Sequence, residues 1–180
     1  MYFQDYFSRL HKAMGDSDEA SFEHVAELLR KIRDQKGKTL VAGNGGSASI
    51  ASHVAVDFTK AAGLPTMCFN EASLITCFAN DFGYEHWLEK ALEYYATPLD
   101  LVILISSSGK SPNMLRAAQK ARDLHLPIVT LTGFGADNPL KSMGDVNFWV
   151  DSRCYNVIEN VHQIWLLAIS DRVARIDFNK

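Results

Sequence analysis

The chain has little of several things. Only three cysteines occur in 180 residues, Cys68, Cys77 and Cys154. An odd, widely spaced set argues against a disulfide framework and against CxxC metal chemistry. Five prolines and eleven glycines are scattered, so no linker or low-complexity tract divides the sequence. No apolar run approaches the roughly 18 residues needed to cross a bilayer, and the N-terminal MYFQDYFSRLHK lacks the uninterrupted apolar stretch of a leader. Basic residues number 18 against 21 acidic, for a net charge of −3, with no Lys/Arg cluster resembling a nucleic-acid footprint. These absences point away from nucleic acid and membrane and toward a small-molecule partner, in a soluble protein of a reducing compartment, most simply the cytoplasm. What is there is globular: 47% apolar and 22% charged residues, in a length suited to one domain with its own core.

Two helical patterns come first. Phe3, Phe7, Leu10 and Met14 recur at three- and four-residue steps over residues 2–14. After the turn and cap cluster Gly15-Asp16-Ser17-Asp18, residues 19–36 repeat the rhythm with Phe22, Val25, Ala26, Leu29 and Ile32. Short apolar runs then alternate with helical stretches. The runs are Thr39–Ala42, Thr66–Phe69, Leu101–Ile105, Ile128–Leu131 and Val146–Val150. Helices are expected over 47–62, 73–95 (broken near Asp81-Phe82-Gly83), 112–125, 137–143 and 156–175. LVILI and PIVTL are apolar on both faces, as a sheet covered on both sides requires. The pattern predicts an α/β fold, a doubly wound five-stranded parallel sheet flanked by helices, preceded by two N-terminal helices. It divides as 1–36, whose aromatic stripe suits an oligomer interface, and 37–180, the ligand-binding unit. Ligands of such sheets bind beyond the carboxyl ends of the strands, which selects the loops Gly43–Ser47, Asn70–Ser73, Ser106–Ser111, Thr132–Asp137 and Asp151–Glu159.

Gly43-Asn44-Gly45-Gly46-Ser47-Ala48 joins a strand to a helix. Its glycines let backbone amides approach a ligand, and the helix start favours an anion. The spacing also satisfies a loose dinucleotide fingerprint, which keeps a nicotinamide-dependent dehydrogenase among the readings. Ile105-Ser106-Ser107-Ser108-Gly109-Lys110-Ser111-Pro112-Asn113 follows LVILI, with Pro112 suited to the first helical position and Ser111 to the N-cap. Hydroxyls and free amides at a helix start form a cup of donors matched to a phosphate monoester. Asn44 and Ser47, with the amides of Gly45 and Gly46, would meet a polyol.

GNGGSASIASH, CFANDFG and ISSSGKSPNML, in this order and spacing, resemble the sugar isomerase (SIS) domain, and within it the phosphoheptose isomerases, over about residues 20–170. The resemblance implies a phosphosugar in the cup and a homotetramer with sites at subunit interfaces. By position, Ser106, Ser108 and Ser111 would hold the phosphate, Ser107 would add contacts, and Asp81 would bond substrate hydroxyls. The activity implied is aldose–ketose isomerisation of a sugar phosphate in heptose or other carbohydrate biosynthesis.

The catalytic pattern departs from the family's. His53 and Asp57 share a helix face, where the family has His and Glu. In the closing helix the family reads Gln-Glu-x-His, then five residues later a catalytic His able to bind zinc. Here Glu159, Asn160 and His162 take the first positions and Leu167 the last, while Asn156 stands where an Asp is usual. A leucine neither transfers a proton nor binds a metal. Glu159 is therefore the candidate relocated base, with His53 and Asp57 beside it. The same three have the ligand types of a zinc site with one open position, so His53, Asp57 and Glu159 are the metal candidates, with no cofactor required. The rival reading is a catalytically silent phosphosugar-binding or regulatory protein.

Overall fold

The computed structural model describes residues 1–15 and 17–176, leaving Asp16 of the turn cluster and 177–180 outside the described residues. Five parallel strands, β1 Thr39–Gly43, β2 Thr66–Cys68, β3 Leu101–Ser106, β4 Ile128–Thr132 and β5 Val146–Trp149, form one sheet in the order β2-β1-β3-β4-β5. The strand order reverses between β1 and β3, which pair from Thr39↔Leu101 to Gly43↔Ile105. That is where such a sheet opens a crevice for ligands.

Strand periodicity assigns the two faces. Val41, Leu101, Ile103, Ile105, Val129 and Leu131 enter one core, while Leu40, Ala42, Val102, Leu104 and Ile128 enter the other. Successive side chains point to opposite faces, so LVILI feeds both layers. The first layer holds α2 (Glu19–Asp34), α3 (Gly46–Lys60) and α7 (Tyr155–Ala174), with α1 (Tyr2–Met14) packed on α7. The second holds α5 (Trp87–Tyr95) and α6 (Pro112–Asp123), with α4 (Ala72–Phe82) leaning on α5.

The expected elements appear within a few residues of their positions. The helix over 73–95 is broken where expected, at Gly83, whose φ of 89° ends α4. The stretch near 137–143 is a 3-10 turn, Pro139–Met143, rather than an α-helix. Asp18 caps α2 by accepting the Ser21 amide at 2.9 Å. Beyond the end of β2, the Asn70 side chain replaces a strand: its Oδ1 accepts the Gly43 amide at 3.1 Å and its Nδ2 donates to the Gly43 carbonyl at 2.7 Å. This holds the last residue of β1 in place just before the glycine-rich loop.

The division at residue 36 separates two stretches of sequence but not two cores. Val25, Ala26 and Leu29 of α2 are fully buried in the cluster that contains α3, α7 and the sheet. α1 is different: it buries only Ala13 and leaves Tyr2, Phe3 and Phe7 exposed. Cys77 is exposed on α4, and Cys154 is exposed before α7. Truncating Leu29 to Ala should cost about 2–5 kcal/mol of stability by leaving a cavity at the α2 contact. Denaturant unfolding of Leu29→Ala measures this, and a change near zero would make α2 an appendage rather than part of the core.

Candidate functional site

The loops after β1 and β3 meet over a cavity of about 300 Å³. From β1 come Asn44, Gly45, Gly46 and Ser47; from β3 come Ser106, Ser107, Ser108 and Ser111. Tyr155 and Glu159 of α7 close the remaining side. Of the residues expected to bind a phosphosugar, all but Asp81 line this one space.

The turn after β3 is shaped for donors. The Gly109 amide returns to the Ser106 carbonyl at 3.0 Å, and Gly109 sits at φ 61°, where a side chain would also collide with Asn138. Only glycine fits there. Asn138 is itself fixed, donating to the carbonyls of Gly133 and Gly135 and accepting the Lys141 amide at 3.0 Å. Ser111 occupies the N-cap of α6, yet its hydroxyl makes no capping bond. Ser107 Oγ is buried with no partner among the described residues. An orphaned buried hydroxyl and an uncapped helix start are costly unless something answers them, and an anion is a group with the chemistry to do so.

The two loops are bolted together by a reciprocal amide pair. Asn44 Nδ2 donates to Asn113 Oδ1 at 3.0 Å, and Asn113 Nδ2 donates back to Asn44 Oδ1 at 3.0 Å. Tyr84, arriving from the turn after α4, donates its hydroxyl to the same Asn44 oxygen at 3.1 Å. The Asn44 carbonyl oxygen is thereby filled, and one amide N–H is left for a ligand. Asn44 was expected to serve a sugar; in the structure its first task is holding the loops in register. Asn113 and Tyr84 were missed in the sequence, which gives only an Asn one residue into α6 and a Tyr after Gly83.

Glu159 lies against Gly46, so closely that a methyl group there would fall inside its carboxylate. Burial pushes its carboxyl above the ordinary range. On α7, Glu159, Gln163 and Leu167 follow at four-residue steps and share one face. Gln163 Nε2 stands 3.3 Å from His53 Nδ1, and His53 Nε2 stands 3.6 Å from Asp57 Oδ2. Leu167 packs at the edge of the core. His162, the retained family histidine, faces inward instead, with Nε2 donating to the Thr132 carbonyl at 3.0 Å. Burial lowers its pKa to about 4, so it is neutral and structural.

Three expectations need correction within a single chain. Asp81 lies on the last turn of α4 beside Phe78, Phe82, Tyr94 and Tyr95, accepting from Asn80 at 3.0 Å, away from the cup. His53 and Asp57 stand seven and eleven residues beyond Gly46 on α3, about 10 Å or more along the axis at 1.5 Å per residue, so they do not join Glu159. Among the described residues no three His, Cys, Asp or Glu side chains gather as a cation site. The donors proposed for zinc therefore do not fit one metal in this chain, and no step below passes through one.

Comparison with known proteins agrees with this fold. A model of the SIS domain matches residues 2–133. Phosphoheptose isomerases of Fusobacterium nucleatum and Helicobacter pylori are 34% and 33% identical, covering 96% and 92% of this chain and 91% and 88% of theirs. The chain belongs to the SIS-domain family, in its phosphoheptose isomerase branch. Solved phosphoheptose isomerases superpose closely. That of Francisella tularensis has a TM-score of 0.89 at 25% identity, covering 97% of both chains, and that of Neisseria gonorrhoeae 0.87 at 26%, covering 96% of this chain and 95% of its own. The family model begins at residue 2, so the family's likeness includes the N-terminal helices.

Ser108→Ala should weaken sugar phosphate binding by about 1.5–3 kcal/mol, the worth of a hydrogen bond to a charged group, with the melting temperature little changed. Calorimetric titration tests it; unaltered affinity would remove Ser108 from the anion's contacts.

Proposed function

We propose that this member of the family seats the phosphate of a sugar phosphate in the cup after β3 and interconverts its aldose and ketose forms. The observation that carries the reading is the pairing of unanswered donors, Ser107 Oγ and the uncapped Ser111, with one partly buried carboxylate across Gly46. Donors at one end anchor a dianion, and the carboxylate meets the other end of the ligand.

Isomerisation requires a base to take the proton from the carbon beside the carbonyl and return it to the former carbonyl carbon, while the hydroxyl proton passes to the other oxygen. Glu159 is that base. Its carboxylate is held by packing against Gly46 rather than by an ion pair, and partial desolvation raises its basicity. The Asn44 N–H left unused by Asn113, and the loop amides around Gly45 and Gly46, stabilise negative charge developing on the substrate oxygens. Ser47, 3% exposed beneath that loop, supports the same end of the ligand.

His53 and Asp57 are exposed enough to act on another subunit's cup. A homotetramer with sites at its interfaces is consistent with that placement, with the exposed aromatics of α1, and with α4, which has no buried residue in one chain. Asp81, exposed on the last turn of α4, would meet a substrate only in such an assembly. Free cysteines suit a reducing cytoplasm, and no helix among the described residues is long and apolar enough to cross a membrane.

Leu167 favours a second reading, a phosphosugar-binding protein without turnover. Glu159→Gln separates the two. If Glu159 is the base, kcat falls at least about 100-fold with KM little changed, and the acid limb of the wild-type pH profile, where activity rises as the carboxylate ionises, lies above the usual carboxyl range. A folded-state pKa raised above the unfolded value means ionisation costs stability as pH rises through that window. Glu159→Gln should therefore melt higher than wild type at neutral pH. Wild-type protein that binds ketose phosphates but exchanges no substrate proton with solvent would favour the silent reading. Unchanged turnover in Glu159→Gln would remove Glu159 from the mechanism.

A further inference from the structure

A second and larger cavity, of about 700 Å³, opens between α1, the loop after β4 and the start of α7. Its lining shares no residue with the cup, and the two adjoin where Phe134 of this cavity packs against Tyr155 of the cup, 4.8 Å ring to ring. Its volume falls in the range of about 300–1,000 Å³ usual for small-molecule sites. None of the isomerase chemistry above uses it.

Its lining combines positive charge with aromatic walls. Arg9 and Lys12 come from α1 and Arg153 from the loop before α7, against one carboxylate, Asp151. Tyr6, Phe134 and Trp149 supply the rings. Lys141 Nζ stands 4.4 Å over the Trp149 ring, and one further feature points to an anionic ligand. The twenty-residue helix α7 also begins at this cavity, through Cys154 and Val157, with no side-chain cap and no acid in its first turn. Its leading amides and the positive end of its dipole are left for an anion.

We propose that this cavity binds a phosphorylated nucleoside, with the base against Tyr6, Phe134 and Trp149 and the phosphates on Arg9, Lys12, Arg153 and the start of α7. Planar bases stack on aromatic side chains regardless of their edge pattern. A sugar phosphate would satisfy the cations but leave the rings unmatched, which is why the ligand class here differs from that of the cup.

ADP is the probe, titrated into the full-length wild-type protein and followed by calorimetry and by tryptophan fluorescence. Saturable binding is expected, weakening as salt is added because the contacts are ionic and partly exposed. Replacing both Arg9 and Arg153 by Ala should weaken it at least about tenfold, or 1.4 kcal/mol. Both side chains are exposed, so the fold should survive, and Arg153→Glu alone should act in the same direction. Trp149→Phe should abolish the fluorescence response, whereas Ser108→Ala, in the cup, should leave ADP affinity unchanged. Absence of saturable ADP binding to wild type, unchanged affinity in the double variant and in Arg153→Glu, or equal weakening by Ser108→Ala would each overturn the proposal.

Discussion

The reciprocal amide pair between Asn44 and Asn113 is the constraint on which the rest of the site depends. It joins residues 69 positions apart, one in the loop after β1 and one in the first turn of α6. The sheet brings these loops near each other because β1 and β3 are neighbours across the point where strand order reverses. Nearness alone would leave two mobile, polar, glycine-containing loops. The amide pair fixes their separation, and Tyr84 fills the last acceptor site. Losing either Asn would strand its partner's donor and acceptor in a partly buried place, a cost of about 1–3 kcal/mol for each orphaned group.

Around that clamp the site divides its labour by chemistry. One end has hydroxyls and amides and, among the described residues, no Lys or Arg in its lining, so in the proposed function a phosphate is selected by donor geometry rather than net charge. The other end has one carboxylate whose position depends on Gly46 having no side chain. Placing a base by packing avoids a neutralising cation, which would lower its pKa and blunt its basicity. The family's histidine position, filled by Leu167, has become hydrophobic packing. In the proposed mechanism the proton-transfer task falls to Glu159, about two helical turns earlier on the same face of α7.

The fold was legible because strands buried on both faces announce themselves. Leu101–Ser106 serves both cores with alternate residues, and its short apolar run, rich in Val and Ile and bounded by turn signals, reads as a buried strand rather than a helix. The serine-rich turn and the glycine-rich loop were likewise visible, since each is a contiguous motif at a strand end. What escaped were features made by distant parts of the chain. Nothing local tells that Asn44 turns toward Asn113, that Tyr84 reaches over to join them, or that Asn138 wedges beneath Gly109. His162 was legible as a position shared with the family, but not that its place in the helix aims it at the Thr132 carbonyl. Asp81 and the pair His53 and Asp57 were grouped with the cup by motif alone, and a single chain holds them apart from it.

A crystal structure with a ketose phosphate bound tests the central claim most directly. The account predicts phosphate oxygens within hydrogen-bonding distance of the Ser106–Ser111 hydroxyls and amides, with the reacting carbons turned toward the Glu159 carboxylate. A phosphate seated elsewhere, or reacting carbons directed away from Glu159 with no other subunit's group facing them, would contradict it.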